Sequence, residues 1–216
     1  MKLPIFVLAL LCLSLNAFGQ FSLGIKGGVS QVLTPTDTKD FVSLAPTELN
    51  RISVGAVSGQ RKALGLSLLG QNEKLFFMLD GMYTQTTENF QLIASGLGRT
   101  TLDPAVEFEY NTTNLRLIAT AGAKYKNSRV GFGPEISFIM NQDENLSQRK
   151  GFEFEDSKYV GGFNLLVGYT FLDRFQVDLK YVKYFESIGS SFKFDGIPLD
   201  FKSSPSLIEL TFGIYL

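Results

Sequence analysis

The chain has 216 residues, with 20 Lys plus Arg against 21 Asp plus Glu, a single cysteine, and neither histidine nor tryptophan. Near-neutral charge gives no electrostatic case for nucleic acid, and one cysteine excludes a disulfide-built secreted domain. Without histidine, proton transfer at neutral pH would fall to carboxylates or lysines with shifted affinities, which argues against the usual hydrolytic machinery.

Residues 1–19 read as a signal peptide. Lys2 supplies the positive start, Ile5 to Leu15 the apolar core, and Ala17-Phe18-Gly19 a small-x-small cleavage site before Gln20. The apolar run is shorter than the roughly 20 residues of a transmembrane helix. Cys12 lies inside it, preceded by Leu11 where a lipoprotein signal needs a small residue. Residues 20–216 are then the mature domain. Removing Lys2 leaves 19 basic against 21 acidic residues, a net charge near −2. Twenty-one glycines, twenty phenylalanines and eight tyrosines predict many short strands in that domain.

The first strand is FSLGIKGGVS, with Phe21, Leu23, Ile25 and Val29 on one face and Ser22, Lys26 and Ser30 on the other. Gln31 to Arg51 reads as a long loop with room for a short helix. A second strand lies within Ser53 to Leu69. Leu64, Leu66 and Leu68 alternate well, but Ser58, Gln60 and Lys62 fall on the same side. Either this strand outruns an apolar environment or a bulge changes its parity. The third strand sets Leu75, Phe77, Leu79 and Tyr83 against Asp80, Thr84 and Thr86, and Glu88 to Ala105 reads as a loop.

The fourth strand, about Phe108 to Tyr125, places Leu115, Leu117, Ala119 and Ala121 opposite Asn114, Arg116, Thr120 and Lys124. After the turn at Lys126-Asn127-Ser128, the fifth sets Val130, Phe132, Ile136 and Phe138 against Arg129, Gly133, Glu135 and Ser137. Pro134 marks a bulge or a missing ladder bond there. Asn141 to Ser157 is a hydrophilic loop. The sixth strand carries Tyr159, Phe163, Leu165, Val167 and Tyr169 on one face. The seventh alternates Phe175, Val177, Leu179 and Tyr181 with Gln176, Asp178 and Lys180. A loop from Glu186 to Ser204 leads to the last strand, where Ile208, Leu210, Phe212, Ile214 and Leu216 alternate with Glu209, Thr211, Gly213 and Tyr215. A chain ending on such a strand leaves a bare edge unless the strand pairs with the first.

Connections alternating long and short predict an all-β, eight-stranded antiparallel up-and-down transmembrane barrel. Ten strands result if the second region hides a hairpin. Alternation alone does not say which face is inside, since a soluble lipocalin-like barrel buries its apolar face. Charge decides it. One set of faces carries Lys26, Asp80, Arg116, Lys124, Arg129, Glu135, Asp178, Lys180 and Glu209, mixed signs suited to pairing in a narrow lumen. The other carries Leu23, Ile25, Phe77, Leu79, Leu115, Leu117, Phe132, Phe138, Phe163, Leu165, Val177, Leu179, Leu210 and Phe212, expected to face lipid. Tyr83, Tyr125, Tyr159, Tyr169 and Tyr181 stand near strand ends, as interfacial girdles would.

Four stretches resemble the Bacteroidetes outer-membrane β-barrel family, the PorT-like barrels. They are the opening QFSLGIKGGVS, the hairpin YNTTNLRLIATAGAKYKNSRVGFGPEISFIM, the pair FNLLVGYTFLDRFQVDLKY and the closing LIELTFGIYL. The family has a proline entering its fourth strand where this chain reads NTTNLRL, and Phe is common at barrel C-termini where this chain has Leu216. The resemblance implies an eight-stranded outer-membrane barrel, with lipid and the barrel assembly machinery as its partners, and most members have no assigned function.

The expected role is a non-catalytic envelope scaffold that presents loops to an unidentified envelope partner, without cofactor or metal. The alternatives are a narrow pore or small-solute transporter, a soluble periplasmic barrel binding an apolar ligand, and a barrel hydrolase. The loop carboxylates Asp143, Glu144, Glu153, Glu155, Asp156, Asp195 and Asp200 lack EF-hand spacing and read as a solvated surface.

Overall fold

The computed structural model describes residues 20–33, 39–42, 50–96, 106–144, 152–155, 158–185, 191–194, 197–199 and 206–216. The expected signal peptide therefore lies outside the described residues.

Every described element is a strand: β1 (Gln20–Val32), β2 (Lys39–Val42), β3 (Asn50–Gln71), β4 (Leu75–Gly96), β5 (Val106–Tyr125), β6 (Ser128–Glu144), β7 (Phe152–Glu155), β8 (Tyr159–Phe171), β9 (Phe175–Tyr184), β10 (Ser191–Phe194), β11 (Ile197–Leu199) and β12 (Ser206–Tyr215). Eight of them, β1, β3, β4, β5, β6, β8, β9 and β12, form a closed antiparallel barrel, because β1 pairs with both β12 and β3. Closure removes both sheet edges, so the terminal hydrophobic strand has a partner on each side.

Following paired residues once round the wall fixes the shear. Gln60 pairs with Gln31, then Ile208, Tyr181, Leu165, Phe132, Ala121, Phe77 and finally Gly70. The circuit returns to β3 ten residues nearer its turn, from Gln60 to Gly70. For eight strands, such a stagger gives a strand tilt of about 40°, and the interior is just wide enough to be filled by side chains.

Four expectations about the connections need correction. β4 runs on to Gly96, so much of the expected Glu88–Ala105 loop is strand. From Thr84 to Asn89 both faces are polar, with Gln85 and Asn89 exposed and Thr84, Thr86 and Glu88 buried, and the apolar alternation that marks a strand disappears there. β2 occupies part of the Gln31–Arg51 segment as a strand, not a helix, paired to the start of β3. β6 continues to Glu144, and β7, β10 and β11 form a separate three-stranded sheet from segments read as loops. The Ser53–Leu69 region is one continuous strand, so no hidden hairpin adds a ninth and tenth stave. Gln60 and Lys62 keep the outward parity of Leu64, so the 22-residue length of the strand accounts for them, and the register shift between Ala56 and Ser58 lies beyond them.

At Pro134, the β5–β6 ladder keeps its register but lacks pairs between Ile118–Glu135 and Ala121–Phe132. The proline removes a bond without a bulge. Neighbouring Gly133 faces inward with the Ala119 carbonyl pressed against the place a Cβ would occupy. Gly161 has nothing within 4 Å of that place. Gly133→Ala should therefore lower the unfolding free energy in detergent by about 1–3 kcal/mol through overpacking, whereas Gly161→Ala should leave it unchanged. Urea titration followed by heat-modified gel migration measures both.

Candidate functional site

The barrel interior is where this sequence concentrates its chemistry. Period-two geometry sends alternate residues of each strand inward, and those residues are the charged ones. Among the described residues, five cations, Lys26, Arg61, Arg116, Arg129 and Lys180, and five anions, Asp80, Glu88, Glu135, Asp178 and Glu209, are buried. The apolar residues expected to face lipid all point outward. Phe77, Leu79 and Phe163 are half-buried among neighbours, and the other eleven are exposed.

From the turn end upward, the charges form a connected column. Arg129 Nη2 donates to Asp178 Oδ1 at 2.7 Å. Lys26 Nζ lies 2.7 Å from Asp178 Oδ2, an ion contact without hydrogen-bond alignment, and 3.3 Å from Asp80 Oδ2. Lys180 Nζ donates to the same Asp80 oxygen at 2.8 Å. Ser67 donates to Asp80 Oδ1 at 2.5 Å and so accepts from the Tyr215 hydroxyl at 2.6 Å.

The upper half is built on Arg116. Its guanidinium grips Glu135 with two parallel bonds, Nε to Oε1 at 2.8 Å and Nη2 to Oε2 at 3.0 Å. Its third nitrogen, Nη1, donates to Glu209 Oε2 at 2.5 Å. Tyr184 donates to Glu135 Oε1 and accepts from Arg61 Nη1 at 2.8 Å, while Arg61 Nε donates to Thr86. The two halves meet at Lys180, whose Nζ is 4.0 Å from Glu209 Oε1. A planar five-donor fork can grip one carboxylate with two parallel bonds and still donate to a second, a geometry the point charge of a lysine cannot supply.

Eight of the nine residues expected in the lumen belong to this column. Lys124 does not. It shares the inward parity but sits one residue from the end of β5, half-buried at the mouth, where water can solvate it. Sequence reasoning missed Arg61, Glu88, Ser67 and Tyr184 as members of the interior, and it placed Tyr215 on the face of Glu209 without a role in the network. Strand parity marks each of them: Arg61 alternates with Leu64 and Leu66 across β3, and Tyr184 continues the Asp178–Lys180 series.

Tyr83, Tyr125, Tyr159 and Tyr169 are exposed outside the wall, and Tyr181 is half-buried there with its hydroxyl 3.1 Å from Ser206 Oγ. Asp156, Asp195 and Asp200 lie outside the described residues, and of Asp143, Glu144, Glu153 and Glu155 only the strand backbone is described. Among the described residues, no group of three or more Asp, Glu, His or Cys is arranged to hold a metal ion.

Removing one partner from a buried pair strands the other charge, at a cost of about 3–5 kcal/mol. Arg116→Leu strands two carboxylates and should reduce unfolding free energy by at least that amount, while Arg116→Leu combined with Glu135→Leu should recover part of it. Lys124→Ala should change it by less than about 0.5 kcal/mol. Equilibrium unfolding in lipid vesicles tests all three.

No protein-family model matches this chain, and no curated protein matches it. Among solved structures it is similar to the outer membrane protein OprG from Pseudomonas aeruginosa, at 14% identity over 90% of this chain and 95% of that one, with a TM-score of 0.46. It is also similar to the outer membrane protease OmpT from Escherichia coli, at 11% identity over 91% of this chain and 95% of that one, with a TM-score of 0.39.

Proposed function

We propose that the chain is a small non-catalytic outer-membrane barrel that anchors and presents its loop-end strands, rather than conducting solutes through its interior. The observation that carries this reading is the inversion of the barrel: an apolar exterior around an interior of five buried cations and five buried anions. A soluble barrel has no reason to expose Phe132, Ile25 and Leu64 at 70%, 61% and 62%. A bilayer rewards that exposure and requires the complete internal backbone pairing that closure supplies.

The anchoring role follows from the filled lumen. Arg116, Glu135, Glu209, Tyr184 and Lys180 are each no more than 3% exposed and bridge opposite walls. A solute would have to break several charge-assisted bonds to pass. The extension of β3 and β4 beyond the apolar band, together with the sheet of β7, β10 and β11, supports display of a surface at the loop end. The opening and closing strand motifs support membership of the PorT-like barrels, with lipid and the assembly machinery as partners. With no histidine anywhere in the chain, the reading stays non-catalytic.

Refolded protein should show heat-modifiable migration and insert into vesicles, yet give electrically quiet planar bilayers. Steady single-channel steps would favour the pore reading, and failure to insert would favour a soluble barrel.

A further inference from the structure

The exterior of the barrel is uneven at its closing seam. On β1 the outward positions run Leu23, Ile25, Gly27, Val29 and Gln31, and Gly27 leaves a gap in that row. The gap opens into a furrow of about 450 Å³ between Leu66 of β3 and Phe212 and Ile214 of β12, floored by Gly24 and Gly27. A second hollow of about 440 Å³ continues it towards the loop end, lined by Val29, Gln31, Gln60, Lys62, Ile208 and Leu210. The apolar trough thus ends in a polar, cationic notch.

The shear places a second cation beside the notch. Lys62 pairs with Val29, which pairs with Leu210, which pairs with Leu179. A row of pairs descends ten residues per circuit, so three strand steps lower it by about four. Lys183 stands four residues above Leu179 and outward, so it lies at the height of Lys62 on the far side of the seam.

A comparison within the same molecule separates this furrow from an ordinary lipid-wetted surface. Another exterior hollow, over Gly81, Ala119 and Pro134, is also made by small or ring-shaped residues. Its upward neighbours are Tyr83, Leu115 and Ile136, with no cation at the rim. Of these two hollows among the described residues, the one at the seam joins an apolar trough to a cationic notch.

We propose that the β3–β1–β12 seam binds a phosphorylated acyl lipid, a phosphate against Lys62 and one chain lying in the furrow over Gly27, with Lys183 adding positive charge at the same height. This rests on the membrane reading above and adds a ligand class to it. Cations near a headgroup surface each add affinity for anionic lipid, and the missing Gly27 side chain lets a chain pack against backbone.

The test uses full-length mature barrel in nonionic detergent, titrated with hexa-acyl diphosphoryl lipid A or with its phosphatase-treated form and read by native mass spectrometry. Wild type should retain the phosphorylated lipid preferentially. Lys62→Ala with Lys183→Ala should weaken retention by about tenfold or more. Gly27→Leu should weaken it comparably without harming the fold, because a Cβ there meets only Ala63 O at 3.7 Å and Leu64 Cδ1 at 3.8 Å. Equal retention of both lipids, or either variant binding like wild type, overturns the proposal. A Gly27→Cys barrel that cross-links into dimers overturns it too, since a second copy then covers the seam. Wild type that fails to insert into vesicles sinks the membrane reading itself, whereas insertion without lipid preference sinks only this one.

Discussion

The structure depends on neutralising charge inside a cylinder that water barely enters. An isolated ion in such a place costs several kcal/mol even after relaxation, so the buried ions Lys26, Asp80, Arg116, Arg129, Glu135, Asp178, Lys180 and Glu209 are tolerable only as a mutually paired set. Each strand of the barrel except β3 and β8 contributes at least one member of the ion-paired column, and β3 adds Ser67 and Arg61 through hydrogen bonds. Asn164 of β8 bonds the Gly133 carbonyl and the Thr120 hydroxyl instead. The wall is therefore laced across its diameter by side chains as well as round its circumference by backbone. Such a network rewards one register and penalises its neighbours, since slipping a strand by one residue would turn its charges outward into hydrocarbon.

That same requirement explains which parts of the fold were readable from sequence. Where the wall separates hydrocarbon from ions, the period-two contrast is at its strongest, and β1, β9 and β12 have the alternation expected of them. Where the wall rises above the apolar band, both sides are polar and the contrast vanishes, although the backbone continues as strand. Residues 84–89 of β4 were obscured for this reason, and the full lengths of β3 and β4 emerge only from their strand pairing. Arg61 stands between Gln60 and Lys62, two polar residues on the outer side, so the local contrast that would have marked it as inward is missing. Lys124 failed in the opposite sense: its parity was right, but parity says nothing of depth. Partner choice was not legible either. Nothing in the spacing of Arg116 and Glu209, 93 residues apart, says that they meet; shear and closure decide it.

Closure also gives the seam its character. Two inward glycines of β1 admit the inner side of β12: Gly24 lies under the Tyr215 ring, and Gly28 against Thr211, and a Cβ at either would fall within 3 Å of these neighbours. Tyr215 can thereby reach Ser67 across β1 and join the last strand to the Asp80 cluster. The glycine that faces outward, Gly27, makes no such contact, and its openness is the source of the exterior furrow. One glycine-rich strand thus performs two jobs on opposite faces. Inside, absent side chains let the final strand dock and lock its tyrosine into the ion network. Outside, the same economy leaves a trough in an otherwise continuous apolar wall, under two lysines that the barrel's tilt brings level. On the proposed reading, closure of the barrel and binding of lipid draw on neighbouring residues of one strand, Gly24 and Gly28 inside and Gly27 outside.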